Sequence, residues 1–120
     1  MGRYRGLTLR VLGKSVAAMG PGKAELVERI EQTGSISAAA RAMGMSYRRA
    51  WQLVEALNKT FREPVVVTAT GGAQGGGARV TAFGRRLVRL FHAMEDKASR
   101  AITADLRRFT SHLRKPKKHR

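Results

Sequence analysis

Apolar residues recur along the chain with two different periods, and the switches between them mark its elements. Leu7, Leu9, Val11 and Leu12 alternate loosely with polar neighbours over Arg5–Leu12, which predicts a short strand. Gly13 and the stretch Met19-Gly20-Pro21-Gly22 break that pattern, and Pro21 suits the first turn of a helix. From Ala24 onward Leu26, Val27 and Ile30 share one helical face, with Glu25, Glu28, Arg29 and Glu31 elsewhere. This helix should end near Thr33-Gly34, where glycine can take a left-handed C-terminal cap. Ser35 then caps a small-residue helix from Ile36 to Met43, containing Ala38, Ala39, Ala40 and Ala42. Gly44 stops it, Met45 crosses the turn, and Ser46 caps a third helix from Tyr47 to about Asn58. Two short helices joined by a glycine-containing turn are the pattern of a helix-turn-helix, and the alanines let such helices cross at close range.

Beyond Pro64 the period changes again. Val65-Val66-Val67-Thr68 and Ala78-Arg79-Val80-Thr81 read as two strands around a glycine-rich tip, Gly71–Gly77, which makes a β-hairpin in the position of a wing. Thr81 caps a last helix from Ala82, whose stripe of Phe83, Leu87, Leu90, Phe91, Met94, Ala98, Ala101 and Ile102 continues toward Leu106 and Phe109. A helix of about 25–30 residues is roughly 40 Å long. So small a domain cannot bury all of that stripe, which predicts a partner helix from a second copy, seated on Leu87, Phe91, Met94, Ala98 and Ile102. The expected architecture is mainly α with a small β-hairpin, a winged helix-turn-helix with a long C-terminal dimerisation helix. It divides into one domain over 1–110 and a basic, disordered tail over 111–120.

Composition sharpens this picture. The chain of 120 residues carries 24 Lys and Arg against 8 Asp and Glu, a formal charge of +16. Solubility needs far less charge, and such an excess favours a polyanionic partner. The absence of cysteine excludes disulfides and thiolate metal sites and suits a reducing cytoplasm. No apolar run is long enough for a membrane span, and Met1–Arg10 has no apolar signal core.

Gly34-Ser35-Ile36-Ser37, Met43-Gly44-Met45-Ser46-Tyr47, Ala50-Trp51 and Asn58 together resemble the N-terminal DNA-binding domain of the ModE family of molybdate-responsive bacterial regulators. Gly71-Gly72, Gly75-Gly76-Gly77, Thr81, Gly84 and Leu87 extend the resemblance through the wing, so that it covers roughly residues 5–95. LysR-type regulators are a looser match. The resemblance implies a dimer on a palindromic operator, followed by an oxyanion-binding domain. After about residue 110 only the basic stretch with Arg114, Lys115, Lys117, Lys118 and Arg120 remains, so molybdate sensing is not carried over, nor is any small-molecule effector expected within this chain.

The chemistry is that of DNA recognition. On the third helix Ala50, Trp51, Leu53, Val54 and Leu57 cluster on one face, and Arg48, Gln52, Glu55 and Lys59 fall opposite, with Arg49 at the edge. The second helix of such a motif enters the major groove with its N-terminal half, where arginine pairs bidentately with guanine and glutamine with adenine. The expected DNA-binding set is Ser35, Ser37, Ser46, Tyr47, Arg48, Arg49, Gln52, Lys59, and, from the wing, Gln74 and Arg79. The competing reading is a merely solvated helix face and a flexible hairpin without DNA contact. Trp51, on the apolar face, is expected in the core rather than as a base-stacking platform. The glycine cluster lacks the Gly-Lys-Ser/Thr ending of a P-loop. His92, His112 and His119 have no metal-ligand spacing and are expected in solvent, and no nucleophile, base and acid can be assembled. Neither a cofactor nor enzymatic activity is expected. The leading expectation is a dimeric, cytoplasmic transcription regulator acting on double-stranded DNA. The alternatives are a nucleoid-type architectural protein with little sequence preference and an oxyanion-responsive protein of the same family.

Overall fold

A computed structural model describes residues 6–14, 16–69 and 77–116. The element order is β1 (Val11–Leu12), β2 (Ala17–Met19), α1 (Pro21–Thr33), α2 (Ile36–Ala42), α3 (Tyr47–Thr60), β3 (Val66–Ala69), β4 (Gly77–Val80), α4 (Ala82–Ala101) and α5 (Thr103–Thr110). Local chemistry explains most boundaries. Pro21 opens α1, and Gly34 closes it at φ 69°, in the left-handed region that a side chain would strain. Ser35 Oγ accepts from Ala38 N, Ser46 Oγ from Arg49 N, and Thr81 Oγ1 from Gly84 N, so α2, α3 and α4 each begin at a hydroxyl cap.

One core joins these elements. Leu26, Val27 and Ile30 of α1 meet Ile36, Ala39 and Ala40 of α2 and Ala50, Val54 and Leu57 of α3, with Val65, Val66, Val80, Val88 and Phe91 closing the far side. Ala39 and Ala50 are fully buried where the helices cross, which is the close approach that the alanine-rich sequence predicts. β3 and β4 pair antiparallel from Val66↔Val80 to Ala69↔Gly77. The hairpin is also tied inward, since Ala78 N donates to the carbonyl of Gly34 at 2.9 Å, at the corner between α1 and α2.

Three expectations need correction here. The predicted first strand shrinks to β1, and it gains a partner, β2, in a stretch that reads as breakers. Ala17-Ala18-Met19 has little β propensity of its own; burial of Ala18 and Met19 places it. The last helix is not continuous. Ile102 (φ −112°, ψ 20°) separates α4, of 20 residues, from α5, of 8. There Thr103 Oγ1 donates to the carbonyls of Ser99 and Arg100, taking acceptors that a continued helix would use. The third concerns His92, expected in solvent. Its Nε2 lies 2.9 Å from Glu28 Oε2 of α1 and its Nδ1 lies 2.7 Å from Glu95 Oε1, so it bridges α1 and α4. At the end of the described chain, Ser111–Pro116 are exposed and outside regular structure, and the remainder of the expected tail, 117–120, lies outside the described residues. Within the described residues, no helix is long and apolar enough to cross a membrane.

Candidate nucleic-acid interface

The face of α3 turned away from the core is the most coherent functional surface. Ala50, Val54 and Leu57 anchor the helix at successive turns, so the residues on the opposite side of the wheel point outward. Tyr47, Arg48, Arg49, Gln52, Glu55 and Lys59 are all exposed. None of Arg48, Arg49, Gln52 or Lys59 makes an ion pair or side-chain hydrogen bond with another described residue. Acids are engaged elsewhere. Glu25 pairs with Arg29, Glu31 with Arg85, Glu63 with Arg62, Asp105 with Arg108, and Glu28 and Glu95 with His92. Of the eight acids only Glu55 lies on the outer face of α3. Among the described residues the positive charge on this face thus outweighs its one acid, Glu55, and a phosphate backbone is its natural counterpart.

Trp51 is the main surprise. The wheel places it with the apolar residues, yet it is 40% exposed, beside Tyr47 at 53%. The buried stripe of α3 is narrow, and a residue one step from Ala50 is rotated by about 100° onto its rim. The outer surface of α3 thus combines guanidinium, amide and aromatic groups, all of which can contact DNA edges, methyl groups or sugars.

The other expected contacts fall around this face. Ser46 stands at the start of α3 and Ser35 at the start of α2; both hydroxyls accept a capping hydrogen bond and keep their proton for donation outward. Ser37 Oγ instead accepts from Arg41 at 3.1 Å. Arg79 is exposed on β4, opposite Val67. Gln74 and the tip glycines Gly71, Gly72, Gly75 and Gly76 lie outside the described residues, while Gly77 opens β4.

Residues that position the site were not singled out as functional by sequence reasoning. Asn58, on α3, donates from Nδ2 to the carbonyl of Val66 at 2.8 Å and accepts at Oδ1 from Val65 N at 2.8 Å and Val66 N at 3.2 Å. This one side chain fixes the start of the wing relative to the reading helix. Gly84 packs the first turn of α4 directly on the wing base; a Cβ there would stand 2.5 Å from the carbonyl oxygen of Val65. A third group lies beside the N-terminal end of α3. Lys23 donates to the carbonyl of Ala17 at 2.6 Å. Its ammonium is held below its ordinary range by burial, and further by the nearby charges of Arg49 and Arg10.

The proposed dimer stripe is altered. Phe91 is only 3% exposed and belongs to the chain's own core with Gly84 and Val88. The apolar row left outside runs through Leu87, Leu90 and Met94, with Leu90 60% exposed. Leu87 and Leu90 line a shallow groove with Phe83, between Arg62, Arg86 and Arg89. Ala98 and Ile102 lie further along, half-buried.

Comparison with known proteins agrees with this geometry. Residues 23–85 match the family described as bacterial regulatory helix-turn-helix protein, lysR family. The molybdenum-pterin-binding protein MopB of Rhodobacter capsulatus is 42% identical over 94 residues, 78% of this chain and 35% of that protein. The molybdenum transport protein ModE of Azotobacter vinelandii is 39% identical, over 71% of this chain and 32% of its own length. The DNA-binding transcriptional dual regulator ModE of Escherichia coli K12 is 36% identical, over 80% of this chain and 36% of its own. The chain thus spans about a third of the length of these curated relatives, and the sequence resemblance to the ModE family is borne out. In structure it resembles the DNA-binding domain of CbnR, solved as a DNA complex, with TM-score 0.55 and 16% identity over 76% of this chain and 97% of that one. LysG of Corynebacterium glutamicum, solved with bound arginine effector, aligns at TM-score 0.53 and 22% identity over 78% of this chain and 30% of that one. At these identities the likeness carries the winged-helix fold alone.

Proposed function

The chain belongs to the bacterial regulatory helix-turn-helix proteins of the lysR family, and from that premise we propose that it is a sequence-specific DNA-binding regulator of transcription acting as a dimer on an inverted-repeat operator in the cytoplasm. The observation that carries this reading is the exposed outer face of α3, with Arg48, Arg49 and Lys59 in no ion pair and Gln52 in no side-chain hydrogen bond with another described residue. In the proposed complex the N-terminal half of α3 enters the major groove. Arg48 offers bidentate donors to guanine and Gln52 pairs with adenine, with Arg49 at the edge of the reading face. Tyr47, Ser46, Ser35 and Ser37 contact phosphate or sugar at the two helix starts, with Lys59 on the backbone further along. The wing, through Arg79 and Gln74, follows the adjacent backbone. Leu87, Leu90, Met94, Ala98 and Ile102 pair two copies, which sets the reading helices about one DNA turn, ~34 Å, apart. Relatives named as transcriptional regulators support the reading, and the family is one of regulatory proteins and not of enzymes.

The test is selection of binding sites from random duplexes with the purified protein, followed by footprinting. A protected inverted repeat is expected. Diffuse protection would replace the proposal with the architectural alternative that the charge of +16 favours. Arg48→Ala and Gln52→Ala should each lower the preference for operator over random duplex by about 1–3 kcal/mol. Equal loss on both duplexes would remove direct readout by these side chains. Trp51 is the sole tryptophan and stands next to Gln52, so its fluorescence reports duplex binding at the reading face.

A further inference from the structure

The family match begins at residue 23, and the β1–β2 hairpin precedes it. This added element is fastened to the reading apparatus. Ala18 and Met19 are buried, β2 packs against both α1 and α3, and Lys23 of α1 donates to the β2 carbonyl of Ala17. Arg10, entering the hairpin, lays its side chain along Gly20 at the start of α1, with Cγ and Nε within 3.8 Å of the position a Cβ would take there. The segment's charge is entirely of one sign. Arg3, Arg5, Arg10, Lys14 and Lys23 all precede the first acid of the chain, Glu25. Arg10 forms no ion pair or side-chain hydrogen bond with another described residue.

We infer that the β1–β2 hairpin is a second DNA-contacting element, in which Arg10, Lys23 and Arg49 converge from three segments to hold one backbone phosphate beside the N-terminal end of α3. Arg49 stands in the first turn of α3, the helix that β2 packs against, and burial first, then the nearby charges of Arg49 and Arg10, hold the Lys23 ammonium below its ordinary range. Like charges gathered in this way repel until a dianionic or monoanionic oxygen cluster enters among them, and a DNA phosphate does so without a counterion of its own once condensed cations are released. The contact carries no sequence information; it fixes how deeply and at what angle α3 sits. This inference rests on the proposed function for its ligand, double-stranded DNA, and it assigns the hairpin a part that the helix-turn-helix and wing do not account for.

The experiment measures affinity for a selected operator and for random duplex from about 50 to about 200 mM salt, for the full chain and for Arg10→Gln and Arg10→Lys. One lost phosphate contact lowers the slope of log K against log salt by about 0.9. Because Lys23 and Arg49 remain on the shared phosphate in Arg10→Gln, its loss of affinity across that fourfold range should shrink measurably, by a factor of up to about 3.5, on both duplexes, with the operator-to-random ratio unchanged. Arg10→Lys should keep the wild-type slope. An unchanged slope in Arg10→Gln, or an equal loss in both variants, overturns the inference. Saturable stabilisation by inorganic phosphate above that of potassium chloride at equal ionic strength, with no slope change in Arg10→Gln, assigns the cluster to free anion and also overturns it. Failure of the proposed function looks different: the wild-type protein would show no preference for any duplex, whatever the slope.

Discussion

Gly84→Ala is a sharp test of how the wing is seated, because two opposing effects of known size meet at one atom. In an open helix the change stabilises by about 1 kcal/mol through lower unfolded-state entropy. Here the new methyl would lie 2.5 Å from the Val65 carbonyl oxygen and 3.0 Å from Cγ1 of both Val65 and Val80. None of these neighbours is a free side-chain end. The Val65 carbonyl accepts from Thr81 N at 3.0 Å, and Thr81 Oγ1 donates to the Pro64 carbonyl at 2.7 Å while accepting from Gly84 N at 2.9 Å. To relieve the contact, the first turn of α4 must separate from the wing base by most of an ångström, breaking this set of bonds. Overpacking of this kind costs about 1–3 kcal/mol, occasionally more. Set against the helical gain, the net expectation is a loss of up to about 2 kcal/mol, a fall in Tm of up to about 8 °C for a chain of this size. Thermal and urea denaturation measure it directly. Gly22→Ala is the internal control, since no atom lies within 4 Å of a Cβ there, and it should leave stability unchanged or raise it. If Gly84→Ala proves as stable as Gly22→Ala, the close approach of α4 to the wing is wrong. The same variant should bind duplex DNA more weakly, because β3 and α4 can no longer share their present geometry.

The other predictions follow from the same contacts. Asn58→Ala strips the acceptor from the backbone amides of Val65 and Val66, both buried, and should cost about 2–4 kcal/mol; an unchanged urea midpoint would show that the wing start holds without it. Replacing Leu90 and Met94 together by glutamate places charge on the exposed row of α4. Sedimentation should then show monomer at concentrations where the wild-type chain is dimeric, with no loss of Tm in the monomer's own core. Dimers that survive the double change would move the interface away from this row.

Much of the architecture was legible because it is written in local chemistry. Gly34, Ser35, Ser46 and Thr81 each act within four residues of their own position, so their caps follow from sequence spacing alone. The outward positions of Arg48, Gln52 and Lys59 follow from the period of Ala50, Val54 and Leu57. What escaped depends on distant partners. The bridge from His92 to Glu28 spans 64 residues and leaves no local mark. β2 exists because Met19 is buried, a fact of tertiary packing that overrides weak propensity. Phe91 and Leu90 belong to one apolar pattern on α4, and only the placement of α1 decides that the first faces inward and the second outward. Trp51 shows the same limit, since a wheel gives direction and says nothing of how wide the buried stripe is.

These long-range ties have a common consequence for recognition. Asn58 joins α3 to β3, the Gly34 carbonyl joins the α1–α2 corner to β4, Gly84 seats α4 on the wing base, and Lys23 holds β2 to α1. The reading helix, the wing and the N-terminal hairpin are therefore positioned relative to one another before any ligand arrives. Association then need not order these elements again, and electrostatic attraction is left to favour binding in place of offsetting that entropy. A preformed surface of this kind also makes the geometry between two copies the main remaining variable. For a dimer built on Leu87, Leu90 and Met94, that spacing is governed by α4, whose other face is locked to α1 through His92–Glu28 and Arg85–Glu31. The same helix that presents the proposed dimer row is thus tied to the helix-turn-helix, which is the condition for half-site spacing to be set by the fold.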